Sequence, residues 1–282
     1  MTPTTRTVKA VFQGMETSDG AGVRLTRLIG TPRLDSLDPF LLLDNFRSDD
    51  AADYIGGFPE HPHRGFETVT YLLAGRMRHG DSAGHSGVIE SGGVQWMTAG
   101  RGIVHSEMPE QEDGLLSGFQ LWVNLPGAHK MDAPRYQEIP ARDIPVENRA
   151  GAEVRVIAGN TAQGTVGPVR DLVTPVRFLD VSLAPDSVFE EPVDAEHNAL
   201  VYTVEGTLRI GDTTLEAGTF GVLGAGTAVR IESDSSAARL LLLDGRPLNE
   251  PVVRHGPFVM NSREEIMQAF ADYRDGRLGR EA

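Results

Sequence analysis

Two short pairs carry the residue types that could do chemistry: His61-Pro62-His63 and His105-Ser106-Glu107. Residues i and i+2 of a β strand point to the same face, so each pair on a strand would aim two ligand-type side chains at one point. Two such strands facing each other across a small barrel supply three imidazoles and one carboxylate. That donor set suits one divalent metal ion, with iron, manganese, nickel, cobalt, copper and zinc all compatible. At an octahedral ion, four protein ligands leave two positions for substrate, dioxygen or water. Either pair alone is common on solvated strands. The metal reading rests on the two occurring together, each behind a glycine turn: Gly56-Gly57 before His61 and Gly100-Arg101-Gly102 before His105. Pro62 cannot donate to a ladder, which predicts a strand start or an edge strand there.

The elements that must position these residues are short β runs separated by Gly, Pro, Asp and Asn, the pattern of an all-β sandwich or barrel. Runs over Thr68–Leu73, Gly118–Leu125, Val154–Ala158, Val176–Leu183, Ala199–Val204 and Arg239–Leu243 read as strands. One amphipathic helix is expected over Arg263–Arg274. Ser262 and Glu265 stand at capping-box spacing, Ile266, Phe270 and Tyr273 follow at helical intervals, and Gly276 stops the run. The apolar face of a helix this short must dock on a barrel wall. A theme repeats: Tyr71-Leu-Leu-Ala-Gly75 and Tyr202-Thr-Val-Glu-Gly206 each end a β run in glycine, and each is followed by an acidic-small-Gly turn, Glu90-Ser-Gly92 and Glu216-Ala-Gly218. This weak duplication favours two related barrels. The Pro-, Arg- and acid-rich stretch between them, residues 132–151, reads as a linker, giving an N-terminal barrel over 1–131 and a C-terminal barrel with its helix over 152–282.

Composition narrows the function. With 282 residues, 40% of them hydrophobic, the chain can bury two cores. The absence of cysteine excludes disulfides, thiol catalysis, iron–sulfur clusters and thiolate-bound metals. A net charge of −14 without a basic cluster argues against direct contact with nucleic acid. No apolar stretch approaches the ~18 residues of a membrane span, and the N-terminus lacks the apolar core of a signal peptide. A cytoplasmic location is expected.

The longer segments resemble the pirin family. His61-Pro-His-Arg-Gly-Phe-Glu-Thr-Val-Thr-Tyr-Leu-Leu-Ala-Gly75 is similar to the first cupin motif as pirins carry it. Gln95-Trp-Met-Thr-Ala-Gly-Arg-Gly-Ile-Val-His-Ser-Glu-Met-Pro109 is similar to the pirin form of the second. Gln120-Leu-Trp-Val-Asn-Leu-Pro126 and Gly256-Pro-Phe-Val-Met-Asn261 also resemble pirin segments. The resemblance implies a bicupin of two stacked β barrels. It also implies a mononuclear iron site in the first barrel only, with His61, His63, His105 and Glu107 as ligands. Many cupins instead use the glutamate shortly after His-x-His, here Glu67; in the pirin pattern Glu107 takes that role and Glu67 is expected in a barrel salt bridge. Aligning Gly75 with Gly206 places Pro192 and Asp194 where His61 and His63 stand, with His197 out of register, so the second barrel is expected to lack metal.

The activity implied is a metal-dependent dioxygenase of the quercetin 2,3-dioxygenase type, acting on a flavonol-like substrate and dioxygen. Glu107 would take or share the proton of the flavonol 3-hydroxyl, which requires one carboxylate oxygen to stay free. The alternative is a metal- or redox-sensing protein that regulates a protein partner without turnover. A sugar isomerase of cupin type is a third class, but no phosphate-binding cluster supports it. His79 and His85 are expected on a surface hairpin, and His129 and His255 lack evident partners. The glycines of 87–93 are not a phosphate loop, and Trp96 and Trp122 read as barrel core, though a planar substrate could use either.

Overall fold

The computed structural model describes residues 4–280, and they form two β units, each with its own core. The expected all-β class, two cupin barrels with one C-terminal helix, is what forms. The first unit comprises residues 15–141 and 248–280. Its larger sheet has seven strands in the order Arg135–Ile139, Val94–Thr98, Phe66–Ala74, Leu116–Asn124, Phe40–Ser48, Val23–Ile29, Met15–Asp19. Its smaller sheet has four: Phe58–His63, Ile103–Pro109, Arg76–Asp81, Ser86–Glu90. The second unit, residues 4–14 and 142–247, repeats this division of seven and four. It is filled by Val154, Val156, Leu179, Val181, Leu208, Leu240 and Leu242, all fully buried.

The strand expectations hold with ends shifted by up to two residues: Thr68–Leu73 lies in Phe66–Ala74, for example, and Val176–Leu183 coincides with its strand. The helix spans Arg263–Arg274 with the expected capping box of Ser262 and Glu265. Its face differs from expectation. Ile266 and Ala269 are buried against Phe258 and Met260, whereas Phe270 and Tyr273 are 39% and 43% exposed.

The expected boundaries require correction. Residues 132–151 are not a linker: Arg135–Ile139 pairs with Val94–Thr98 in the first barrel, and Val146–Arg149 pairs with Ala152–Ala158 in the second. Both are short, half-polar edge strands, and such strands lack the apolar run that marks a buried one. The chain ends also belong elsewhere than position suggests. Strand Val8–Gln13 pairs with Thr219–Leu223 in the second barrel, while the strands Val253–His255 and Phe258–Met260 and the helix belong to the first.

Candidate metal centre

Strand Phe58–His63 runs antiparallel to Ile103–Pro109, with His61 opposite His105 and an irregularity between His105 and Glu107. Phe58–His63 is an edge strand, which accommodates Pro62. Two glycines allow close approaches that set these strands. Gly100 has φ +49°, and a Cβ there would sit 2.2 Å from the Asp132 carbonyl oxygen. Gly65 has φ +89°, and a Cβ would meet the Val259 oxygen at 1.9 Å. No other residue fits either place without moving backbone.

One ring nitrogen from each of His61, His63 and His105 lies within 4.8 Å of the other two. His61 Nδ1 is 2.8 Å from the Pro59 carbonyl, and His63 Nδ1 is 3.4 Å from that of Pro257. When each Nδ1–H donates to its carbonyl, each Nε2 keeps a lone pair, and the two Nε2 atoms lie 3.0 Å apart. His105 is buried with neither ring nitrogen hydrogen-bonded. Converging, unprotonated imidazole nitrogens without donors are what a cation needs, so these residues fit a divalent metal. Burial, and next the charge of neighbouring imidazoles, holds His63 and His105 well below the usual histidine range. Both rings therefore stay neutral and ligand-competent.

Glu107 lies outside the three-imidazole group, although it lines the same cavity. Thr70 Oγ1 donates to Glu107 Oε1 at 2.5 Å and also lies 2.7 Å from Gln120 Oε1, while Gln120 Nε2 donates to Glu107 Oε2 at 3.3 Å. The threonine hydroxyl has one hydrogen for two acceptors. With an ionised carboxylate this cycle is one proton short. The cavity measures about 620 Å³, and its walls include Leu25, Leu42, Phe46, Phe58 and Trp122. Trp122 is a pocket wall, packed edge-on to His63 at 5.2 Å, whereas Trp96 is core, as read.

Other readings change. Glu67 is fully buried and accepts from Thr98 Oγ1 at 2.7 Å, and that hydroxyl in turn accepts from Arg135 Nε. Glu67 sits three residues from Thr70 on one strand, hence on the opposite face from the site. His79 is not a surface residue: it is buried directly across from Glu107, stacked on Tyr136 and beside Glu138. It alternates with buried Met77, a period that the neighbouring glycines mask. His85 is exposed and bound to Asp81, and His129 has a partner in Asp132 at 2.7 Å.

In the second barrel, Leu208 opposite Ser233 matches Met77 opposite Pro109, which places Val229 and Ile231 at the positions of His105 and Glu107. Glu191 is opposite Val229, as His61 is opposite His105. The inward residues are thus Glu191 and Val193, not Pro192 and Asp194, which are exposed. The slip is one residue, enough to turn a strand inside out. Glu191 is held by Arg149 at 2.6 Å and Arg177 at 2.9 Å, and His197 bonds Asp244. In the sequence Thr70 and Gln120 stood out only as members of the His61–Gly75 and Gln120–Pro126 segments, with no role of their own.

The profile of the Pirin family matches residues 22–123, and that of the Pirin C-terminal cupin domain matches residues 178–279. A pirin-like protein of Caulobacter vibrioides is 55% identical, covering 97% of this chain and 99% of its own length. Human pirin is 45% identical over 94% of this chain and 91% of its own length. A crystal structure of a quercetin 2,3-dioxygenase from Acinetobacter baumannii superposes with a TM-score of 0.88 at 36% identity, covering 98% of this chain and 99% of that one. No helix among the described residues is long and apolar enough to cross a membrane.

Proposed function

Because this chain belongs to the pirin family, we propose that it is a metal-dependent dioxygenase of the quercetin 2,3-dioxygenase type acting on flavonol-like substrates. The observation that carries the reading is the convergence of the His61, His63 and His105 imidazoles beside a cavity with apolar walls that His61, His63 and the buried Glu107 line. His61, His63, His105 and Glu107 would hold one divalent ion, for which we propose iron(II). When bound, the ion supplies Lewis acidity toward a substrate hydroxyl and redox chemistry toward dioxygen.

The chain's own residues do the rest. The Pro59 and Pro257 carbonyls fix the tautomers of His61 and His63, so their Nε2 lone pairs face the site. The cavity volume lies within the ~300–1,000 Å³ usual for drug-sized ligands, and Phe46, Phe58 and Trp122 present apolar surface to a flat ring while excluding water. Glu107 is the acceptor for the substrate's hydroxyl proton. A proton arriving at Glu107 supplies the hydrogen that the Thr70–Gln120 cycle lacks, which supports this role.

Metal analysis of the purified protein, followed by oxygen uptake with a panel of flavonols, tests the proposal. One equivalent of metal with flavonol-dependent uptake is expected. No uptake by metal-loaded protein would overturn it in favour of the regulatory, turnover-free reading.

A further inference from the structure

Two arginines stand in the wall of the cavity, and they differ in their partners. Arg27 is neutralised twice: Nε and Nη2 donate to Asp44 at 2.9 and 2.7 Å, and Nη2 reaches Asp19 at 2.9 Å. Arg254 has no carboxylate partner among the described residues; its one hydrogen bond runs from Nη1 to the Leu41 carbonyl at 3.3 Å. A guanidinium carries five N–H donors, so most of those on Arg254 are uncommitted.

The side chain is nonetheless held in place. Its guanidinium carbon lies 4.6 Å from the centre of the Trp122 ring, a cation–π contact. Trp122 is itself wedged against Phe66 at 4.3 Å and His63 at 5.2 Å. The indole thus connects a fixed, uncommitted cation to the imidazole group through a single side chain. Arg254 is solvent-exposed and lines the same cavity as His61 and His63. A planar fork of donors beside apolar ring-binding walls matches one ligand chemistry: a flat aromatic with an anionic oxygen group at its edge.

Resting on the reading of this cavity as the substrate site, we infer that Arg254 is its specificity-determining cation and that the site selects planar aromatic anions, bearing a carboxylate or phenolate, over their neutral counterparts. The test is calorimetric binding of 2-naphthoate and of neutral 2-naphthamide to the full chain as purified. The wild type is expected to bind the carboxylate about tenfold more tightly, the effect of one charge-assisted contact. Arg254→Gln should abolish the preference while leaving amide affinity unchanged, and Arg254→Lys should retain part of it. If Arg254 only braces Trp122, the substitution weakens both probes equally, and the inference fails. It fails also if the wild type binds neither probe, shows no preference, or shows one that survives in Arg254→Gln. Oxygen uptake with flavonols on the same samples separates the two readings: no uptake with an intact preference removes the dioxygenase alone, and uptake without a preference removes the anion site alone.

Discussion

Lys130→Met, assayed as stability against pH, probes how the site is braced. Lys130 is 1% exposed, and its ammonium donates to the carbonyls of Gly65 at 2.7 Å and Val259 at 3.1 Å and to Asn124 Oδ1 at 2.7 Å. It pins the backbone just after His63 to that just after Pro257, whose carbonyl orients His63. Burial lowers its pKa from 10.5 to about 8, with Glu250 and Glu265 opposing the shift. That difference corresponds to about 3 kcal/mol. The sign follows from linkage: below pH 8 folded and unfolded chains both carry the proton and the full penalty applies. Between 8 and 10.5 the unfolded chain binds more protons, so stability rises with pH. The rise from about pH 7 to about pH 9.5 is about 2 kcal/mol. Lys130→Met removes the penalty but withdraws a donor from three buried acceptors, at about 1–3 kcal/mol each. The net loss is about 3 kcal/mol at pH 7, and it widens by about 2 kcal/mol at pH 9.5, because only the wild type gains. Urea unfolding followed by circular dichroism at both pH values measures this. The scan stops there because burial pushes Tyr136 above the usual tyrosine range, and its ionisation would act in the opposite sense. Parallel pH slopes in the two proteins would refute the reasoning.

Metal content should be one equivalent per chain and close to zero in His61→Ala and His105→Ala with unchanged circular dichroism; two equivalents, or retention in both variants, would contradict the single site. Glu107→Gln should keep most of the metal, since an amide oxygen still coordinates, while flavonol-dependent oxygen uptake drops about 10²–10⁴-fold; wild-type uptake at full metal occupancy would remove Glu107 from proton transfer. His197→Ala, in the second barrel, should change neither metal content nor uptake, and a large loss of either would implicate that barrel. A random DNA duplex should not bind at moderate salt, given the charge of −14; submicromolar binding would reverse that expectation.

The histidine cluster was legible because strand periodicity is local: His61 and His63 share a face whatever the tertiary fold, and the same holds for His105 and Glu107. The helix was legible for the same reason, its Ser262–Glu265 cap being a local signal. What was not legible depends on pairing between distant strands. His79 faces inward because it stands opposite Glu107, a register that no local pattern encodes. The one-residue slip that exchanges Pro192 for Glu191 has the same origin. Edge strands such as Arg135–Ile139 escape notice because their exposed side carries the polar residues of a linker. Thr70 and Gln120 carry no chemistry alone; they matter because adjacent strands set them beside Glu107.

The exchange of chain ends between the barrels has a consequence for biosynthesis. Strand Val8–Gln13 leaves the ribosome some two hundred residues ahead of its pairing partner, Thr219–Leu223. The strands that carry His61, His63 and His105 emerge more than a hundred residues ahead of the Pro257 carbonyl, the Asp272 partner of Arg64 and the Val259 acceptor of Lys130. Neither barrel has all of its elements until the chain has emerged past residue 247, and the braces of the site from Pro257 and Val259 come later still. A gene cut between the two barrels would encode two fragments, each holding a strand that its partner needs.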